Sequence, residues 1–261
     1  MVYGGNSTCV EVTLLSGKTV VIDAGTGMRR LGDELVARKD LDLTLLMTHI
    51  HWDHVVGFPF FAPIFHPNTR IVVDGCRRSV EGLRKVFSAN FLDGTWPIRF
   101  DDLKARIQSR HELLKGSLRL DDTLIESHQL QHPQGGQGFK FTEPSGVFVF
   151  LTDNELTDNG WHGSSFKDFV RFCRDADLLV HDCQYLPEEM DVRQGWGHSD
   201  IAAVARLARE ADVKRLVLFH HDPWRKDREI SRMVVRCQEL LGNKQPFITV
   251  TAAQEDTTLV V

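Results

Sequence analysis

Thr48-His49-Ile50-His51-Trp52-Asp53-His54 follows directly on the apolar run Leu43-Thr44-Leu45-Leu46-Met47. The run reads as a short strand buried on both faces. Behind it, four metal-competent side chains, His49, His51, Asp53 and His54, fall within six residues. Imidazole and carboxylate are natural ligands of zinc and similar divalent ions. A loop at a strand end can aim His49 and His51 at one ion and turn Asp53 and His54 towards a second. Single histidines in cores are common, but a merely polar loop does not produce this density of ligand types.

Working outward, strand and turn signals alternate. Residues 8–15 and 19–22 read as a strand pair around the turn Ser16-Gly17-Lys18. Asp23-Ala24-Gly25-Thr26-Gly27 is a glycine-rich turn at the end of the second strand, and a helix is expected over 29–39. Further helices are expected over 79–88, 101–107, 164–175, 200–211 and 227–241, with Ser199 as the cap of the one at 200. Strands are expected over 71–73, 139–141, 147–151, 178–180, 215–219, 247–250 and 257–261, with more short strands up to Gln131. His132-Pro133 and the glycines from Gly135 to Gly138 break the chain between them. No repeat, low-complexity segment or Pro/Ser-rich linker appears, so a single domain of two similar mixed halves is expected over 1–261.

The chain is 42% hydrophobic and 26% charged over 261 residues, which excludes a disordered, collagen-like or coiled-coil chain. No stretch reaches the roughly 20 apolar residues of a membrane helix. Residues 1–12 have no charged start followed by an apolar block, so no secretory signal is expected. The net charge of −5 argues against non-specific nucleic-acid binding. Cys9, Cys76, Cys173, Cys183 and Cys237 are odd in number, scattered and without a CxxC pair, which favours reduced thiols and a cytoplasmic setting.

Five motifs, each at an expected strand end, resemble those of the metallo-β-lactamase superfamily of hydrolases. They are Asp23 to Gly27, His49 to His54, His132 beside Pro133, Asp153 in Leu151-Thr152-Asp153, and His220 in Leu218-Phe219-His220-His221-Asp222-Pro223. The resemblance implies an α/β fold, a four-layer αββα sandwich of two mixed β-sheets flanked by helices, with metals at one sheet edge. It implies two divalent ions. One takes His49, His51 and His132; the other takes Asp53, His54 and His220; Asp153 bridges them. His220 is preferred to His221 because it comes first after the strand. Zinc is the expected ion, and the ligand set also suits Mn or Fe. Relatives of this kind carry a further strand upstream, so part of one sheet edge is expected to be missing before Met1.

Gly197-His198-Ser199 and His181-Asp182 further resemble the phosphodiesterase branch, which includes ribonuclease Z and the cyclic phosphodiesterase of phosphonate breakdown. In that branch the histidine matching His198 assists the leaving group, and an acidic residue, here Asp182, orients it. An alkoxide leaving phosphorus needs a proton, and a carboxylate-held histidine can supply it. The resemblance thus implies Asp53, His198 and Asp182 as catalytic groups, with a metal-bridging hydroxide as nucleophile. The expected partner is a small cyclic or nucleotide-like phosphodiester. Residues 154–165 hold nothing like the long basic arm by which ribonuclease Z binds tRNA, so no stable nucleic-acid partner is expected. No membrane partner is expected, and a homodimer fits the habit of relatives. The competing readings are hydrolysis of a carbon ester, thioester or lactone at the same centre, and a non-catalytic metal- or ligand-binding sensor. His198 favours phosphorus over carbon; seven filled ligand positions disfavour the sensor. Around the site, Arg193 and Arg225 are candidates for steadying phosphoryl charge, His162 and Trp224 for reaching the pocket, and His128 and His181 for structural roles.

Overall fold

The computed structural model describes residues 2–92, 94, 96–158, 164–242 and 247–261. The chain forms two compact units, one of Asn6–Asp121 and one of Met1–Gly5 with Asp122–Val261.

In the first unit, a five-stranded sheet runs in the order β1-β2-β3-β4-β5. Strands β1 (Val10–Thr13) and β2 (Thr19–Ile22) form the expected antiparallel hairpin. Strands β3 (Asp42–Met47), β4 (Arg70–Gly75) and β5 (Arg106–Ser109) add to β2 in parallel. Leu43, Leu45, Leu46 and Met47 are all buried, as a strand covered on both faces requires. Helix α1 (Met28–Arg38) buries Met28, Leu31 and Leu35, spaced three and four apart on one face. Helix α2 (Ser79–Leu92) places Leu83, Val86 and Phe87 in the same core. Of the aromatic residues that follow the histidine cluster, Phe58 and Phe61 lie in that core, while Trp52 and Phe60 are exposed. The helix expected over 101–107 does not form. A single turn at Phe100–Asp102 ends when the Ile64 carbonyl captures the amides of Lys104 and Ala105, and β5 follows. Strand β6 (Ser117–Leu120) closes this stretch of chain.

In the second unit, strands β7 (Thr123–Gln129), β8 (Gln137–Glu143) and β9 (Gly146–Leu151) form an antiparallel meander. Strands β10 (Leu178–Asp182), β11 (Arg215–Phe219) and β12 (Thr249–Ala252) continue the sheet from β9 in parallel. Helices α3 (Phe166–Phe172), α4 (Ile201–Glu210) and α5 (Asp227–Leu241) connect these parallel strands, as a crossover connection demands. Helix α4 buries Ile201, Val204, Ala205 and Leu207, and α5 buries Ile230, Met233, Cys237 and Leu241. Two expectations change here. Asp200, not Ser199, caps α4, accepting from the amides of Ala202 and Ala203 at 2.7 and 3.2 Å. Residues 257–261 form no strand.

In both units, parallel strands in register end together. Ile22 of β2 pairs with Leu46 of β3. Leu151 of β9 pairs with His181 of β10, and Asp182 pairs with Phe219 of β11. Asp23, Thr48, Asp153, Asp182 and His220 therefore stand at carboxyl ends of neighbouring strands, where open α/β sheets carry their ligands. No helix among the described residues is long and apolar enough to cross a membrane.

The loop after His54 is anchored by Gly57, whose amide donates to the Ala24 carbonyl at 2.9 Å. A Cβ at Gly57 would overlap the carbonyl oxygen of Gly25. Gly57→Ala is expected to cost about 2–4 kcal/mol, read as a lowered urea midpoint.

Candidate metal centre

The first unit supplies a histidine cluster. β3 ends at Met47, and the chain passes through Thr48 and His49 to a single tight turn at Trp52–His54. The His49 ring lies 4.5 Å from that of His51 and 4.1 Å from that of His54. Asp53 Oδ2 is 3.3 Å from His54 Nε2. Beneath them sits Asp23, fully buried and at φ 60°. Its carboxylate accepts from the Thr48 amide at 2.7 Å, the Thr48 hydroxyl at 2.6 Å and His54 Nδ1 at 2.8 Å. Burial pushes the Asp23 carboxyl up, against the pull of His54 and Thr48. Because the Thr48 hydroxyl donates to Asp23, it can accept from His49 Nδ1, 3.1 Å away. His49 and His54 thus commit Nδ1 to the protein and keep Nε2 as the lone-pair nitrogen, the arrangement of a metal-ligating imidazole.

The second unit supplies a further cluster. Asp153 follows β9 at φ 52° and His220 follows β11 at φ 52°. The two carboxylate oxygens of Asp153 face different histidines: Oδ1 lies 3.9 Å from His132 Nε2, and Oδ2 lies 3.3 Å from His220 Nε2. His132 Nδ1 donates to the Gly197 carbonyl at 3.0 Å. His220 Nδ1 lies 2.7 Å from the Gln184 side-chain amide and 3.7 Å from Asp182 Oδ2. His221 turns elsewhere, with Nε2 3.4 Å from the Ala253 carbonyl and its ring edge-on to Tyr3 at 5.8 Å.

Beside this cluster stands a hydrogen-bonded histidine–carboxylate pair. His198 Nδ1 donates to Asp182 Oδ2 at 2.6 Å, and Asp182 Oδ1 accepts the Ser199 amide at 2.9 Å. The His198 ring stacks on His220 at 5.2 Å and meets His132 at 5.3 Å. Burial alone would lower the His198 pKa, but the charge of Asp182 and its hydrogen bond outweigh it, so the pKa is raised.

The remaining candidates divide. His181 is buried against Asn154 at 3.1 Å and kept neutral by burial. His128 packs between Phe169 and Phe172. Arg193 pairs with Asp222 at 3.5 Å and lies over the rings of Tyr185 and Trp196. Arg225 is held by Glu189 and by the Gln184 carbonyl at 3.1 Å. Trp224 is almost fully exposed, and His162 lies outside the described residues. Sequence reading missed Thr48, Gln184 and Glu155. The last was hinted at only by a carboxylate in Asp153-Asn154-Glu155-Leu156, behind an apolar strand.

A profile of the β-lactamase superfamily domain matches residues 18–221, a span that includes both clusters and the His198–Asp182 pair. The chain belongs to the metallo-β-lactamase superfamily of hydrolases. Ribonuclease Z of Archaeoglobus fulgidus is 43% identical over a 254-residue alignment that covers 82% of this chain and 81% of the relative. The metallo-β-lactamase-fold protein YhfI of Bacillus subtilis superposes with a TM-score of 0.69 at 17% identity, over 97% of this chain and 93% of the other. A diphosphatase of the PhnP family superposes with a TM-score of 0.63 at 16% identity, over 95% and 82%. Membership in this superfamily agrees with the α/β fold of two mixed sheets and helices. The imidazole and carboxylate donors suit divalent metal ions.

Removing Asp23 would strip three donors of their acceptor. Asp23→Ala is expected to weaken zinc binding roughly 10–100-fold, measured by competition with a chromophoric chelator.

Proposed function

We propose that the two clusters together form one dinuclear centre in a phosphodiesterase for small cyclic or nucleotide-like phosphodiesters. His49, His51 and His132 would hold one ion, Asp53, His54 and His220 would hold the other, and Asp153 would be shared by both. Zinc fits best, because neutral imidazole and carboxylate at closed strand-end positions are its habitual ligands. Two bound divalent ions would supply Lewis acidity and a water ionised near neutral pH.

The observation that carries the reading is the His198–Asp182 hydrogen bond of 2.6 Å beside Asp153 and His220. His198 keeps a proton on Nδ1 for Asp182 and presents Nε2 to the leaving group. The raised pKa keeps that second nitrogen protonated to higher pH, so it can protonate a departing alkoxide. Asp182 fixes the ring and balances its charge. The Gly197-His198-Ser199 motif that carries this histidine resembles the phosphodiesterase branch and is not needed by the carbon-hydrolysing branches, which favours phosphorus over a carbon ester, thioester or lactone. The ribonuclease Z relative makes RNA the competing substrate. The net charge of −5 favours the small molecule.

Metal analysis of the purified chain should find two divalent ions per chain, and chelation should abolish turnover until zinc is returned. His198→Ala and Asp182→Asn should lower kcat on 2′,3′-cyclic AMP by about 10²–10⁴-fold and about tenfold or more, respectively. Bis-p-nitrophenyl phosphate should suffer less, because its leaving group needs no proton. Turnover confined to p-nitrophenyl acetate and indifferent to His198 would refute the phosphodiesterase reading. Faster cleavage of a 3′-extended RNA hairpin than of the cyclic nucleotide would replace the small substrate by RNA.

A further inference from the structure

We propose that Glu155 is a positioning residue that sets which nitrogen His132 presents, acting through Gly197. The proposal rests on the dinuclear reading above. Glu155 is buried, two residues beyond Asp153. Its carboxylate accepts the Gly195 amide at 2.9 Å with each oxygen and the Gly197 amide at 2.9 Å with Oε2. Its own amide donates to the carbonyl of Gln131, the residue before His132, at 2.9 Å. One residue therefore ties the segment carrying His132 to the loop that leads into His198.

The consequence falls on Gly197. Its amide is taken by Glu155, and its carbonyl receives His132 Nδ1 at 3.0 Å. The two peptide groups flanking Gly197 are thus both committed, at a φ of 88° that favours glycine. A Cβ there would overlap His132 Nδ1. A carbonyl can only accept, so the proton of His132 lies on Nδ1, and Nε2 keeps the lone pair that faces Asp153. A buried carboxylate carries a desolvation cost that an apolar residue would not. Two backbone donors, the Gly195 and Gly197 amides, offset that cost, and the result is a fixed carbonyl behind a ligand.

The test uses the full chain with Glu155→Gln and Glu155→Asp. In the metal-free protein, nitrogen–proton correlation spectra of the imidazoles report the His132 tautomer. In the zinc-titrated protein, chelator competition reports each affinity. Both variants are expected to convert His132 from one Nδ1–H form to a mixture, and to weaken one zinc site roughly 10–100-fold while sparing the other. A single wild-type tautomer with unchanged zinc affinities, alongside a lowered melting temperature, would overturn the proposal and leave Glu155 a loop staple. If Glu155→Gln does not fold, Glu155→Asp, which keeps the charge, supplies both readouts. If the wild-type chain takes up fewer than two zinc ions, the dinuclear reading fails, while the imidazole spectra still decide the role of Glu155.

Discussion

In-register parallel pairing is the constraint on which the rest depends. Because β9, β10 and β11 end side by side, the residues leaving them are neighbours without any special folding of loops. Asp153, Asp182 and His220 come together on that account alone. The same rule in the other unit lays Asp23 beside Thr48, at the ends of β2 and β3. The sheets are thus the device that sets distances, and the loops only choose which side chains are presented.

The strand ends are fixed by buried carboxylates. Asp23, Glu155 and Asp182 are each taken out of water, and each accepts from backbone amides as well as, for two of them, an imidazole. A buried charge is tolerable only when its lone pairs are filled. Filling them with loop amides converts the desolvation cost into rigidity where the candidate ligands stand. Histidines whose Nδ1 is committed to the protein have one ring orientation and one tautomer, which is what a ligand needs before an ion arrives.

Much of this was legible in the sequence because the decisive signals are local. The apolar run before His49, the αβ rhythm of the last third and the His198 motif each lie within a few residues, and the strands, helices and family followed from them. What escaped depends on distant partners. Ser199 looks like a helix cap, but its hydroxyl donates to the Asn154 carbonyl and accepts the Leu156 amide, so the cap passes to Asp200. The stretch after Asp101 has helical character, yet the Ile64 carbonyl ends it. Glu155 reaches across forty residues to Gly195, a separation that no periodicity reveals.

Asp23, Asp153 and His220 share a left-handed backbone, with φ of 60°, 52° and 52°. Such conformations cost about 1–3 kcal/mol each for residues other than glycine, least for aspartate. The chain therefore stores strain at strand ends beside the histidines of the proposed chemistry. At Asp23 glycine would leave three buried donors without their acceptor, but a descendant released from that chemistry would relieve strain by placing glycine at Asp153 or His220. Those positions are where the loss of function would first be written into the sequence, well before the sheets themselves began to drift.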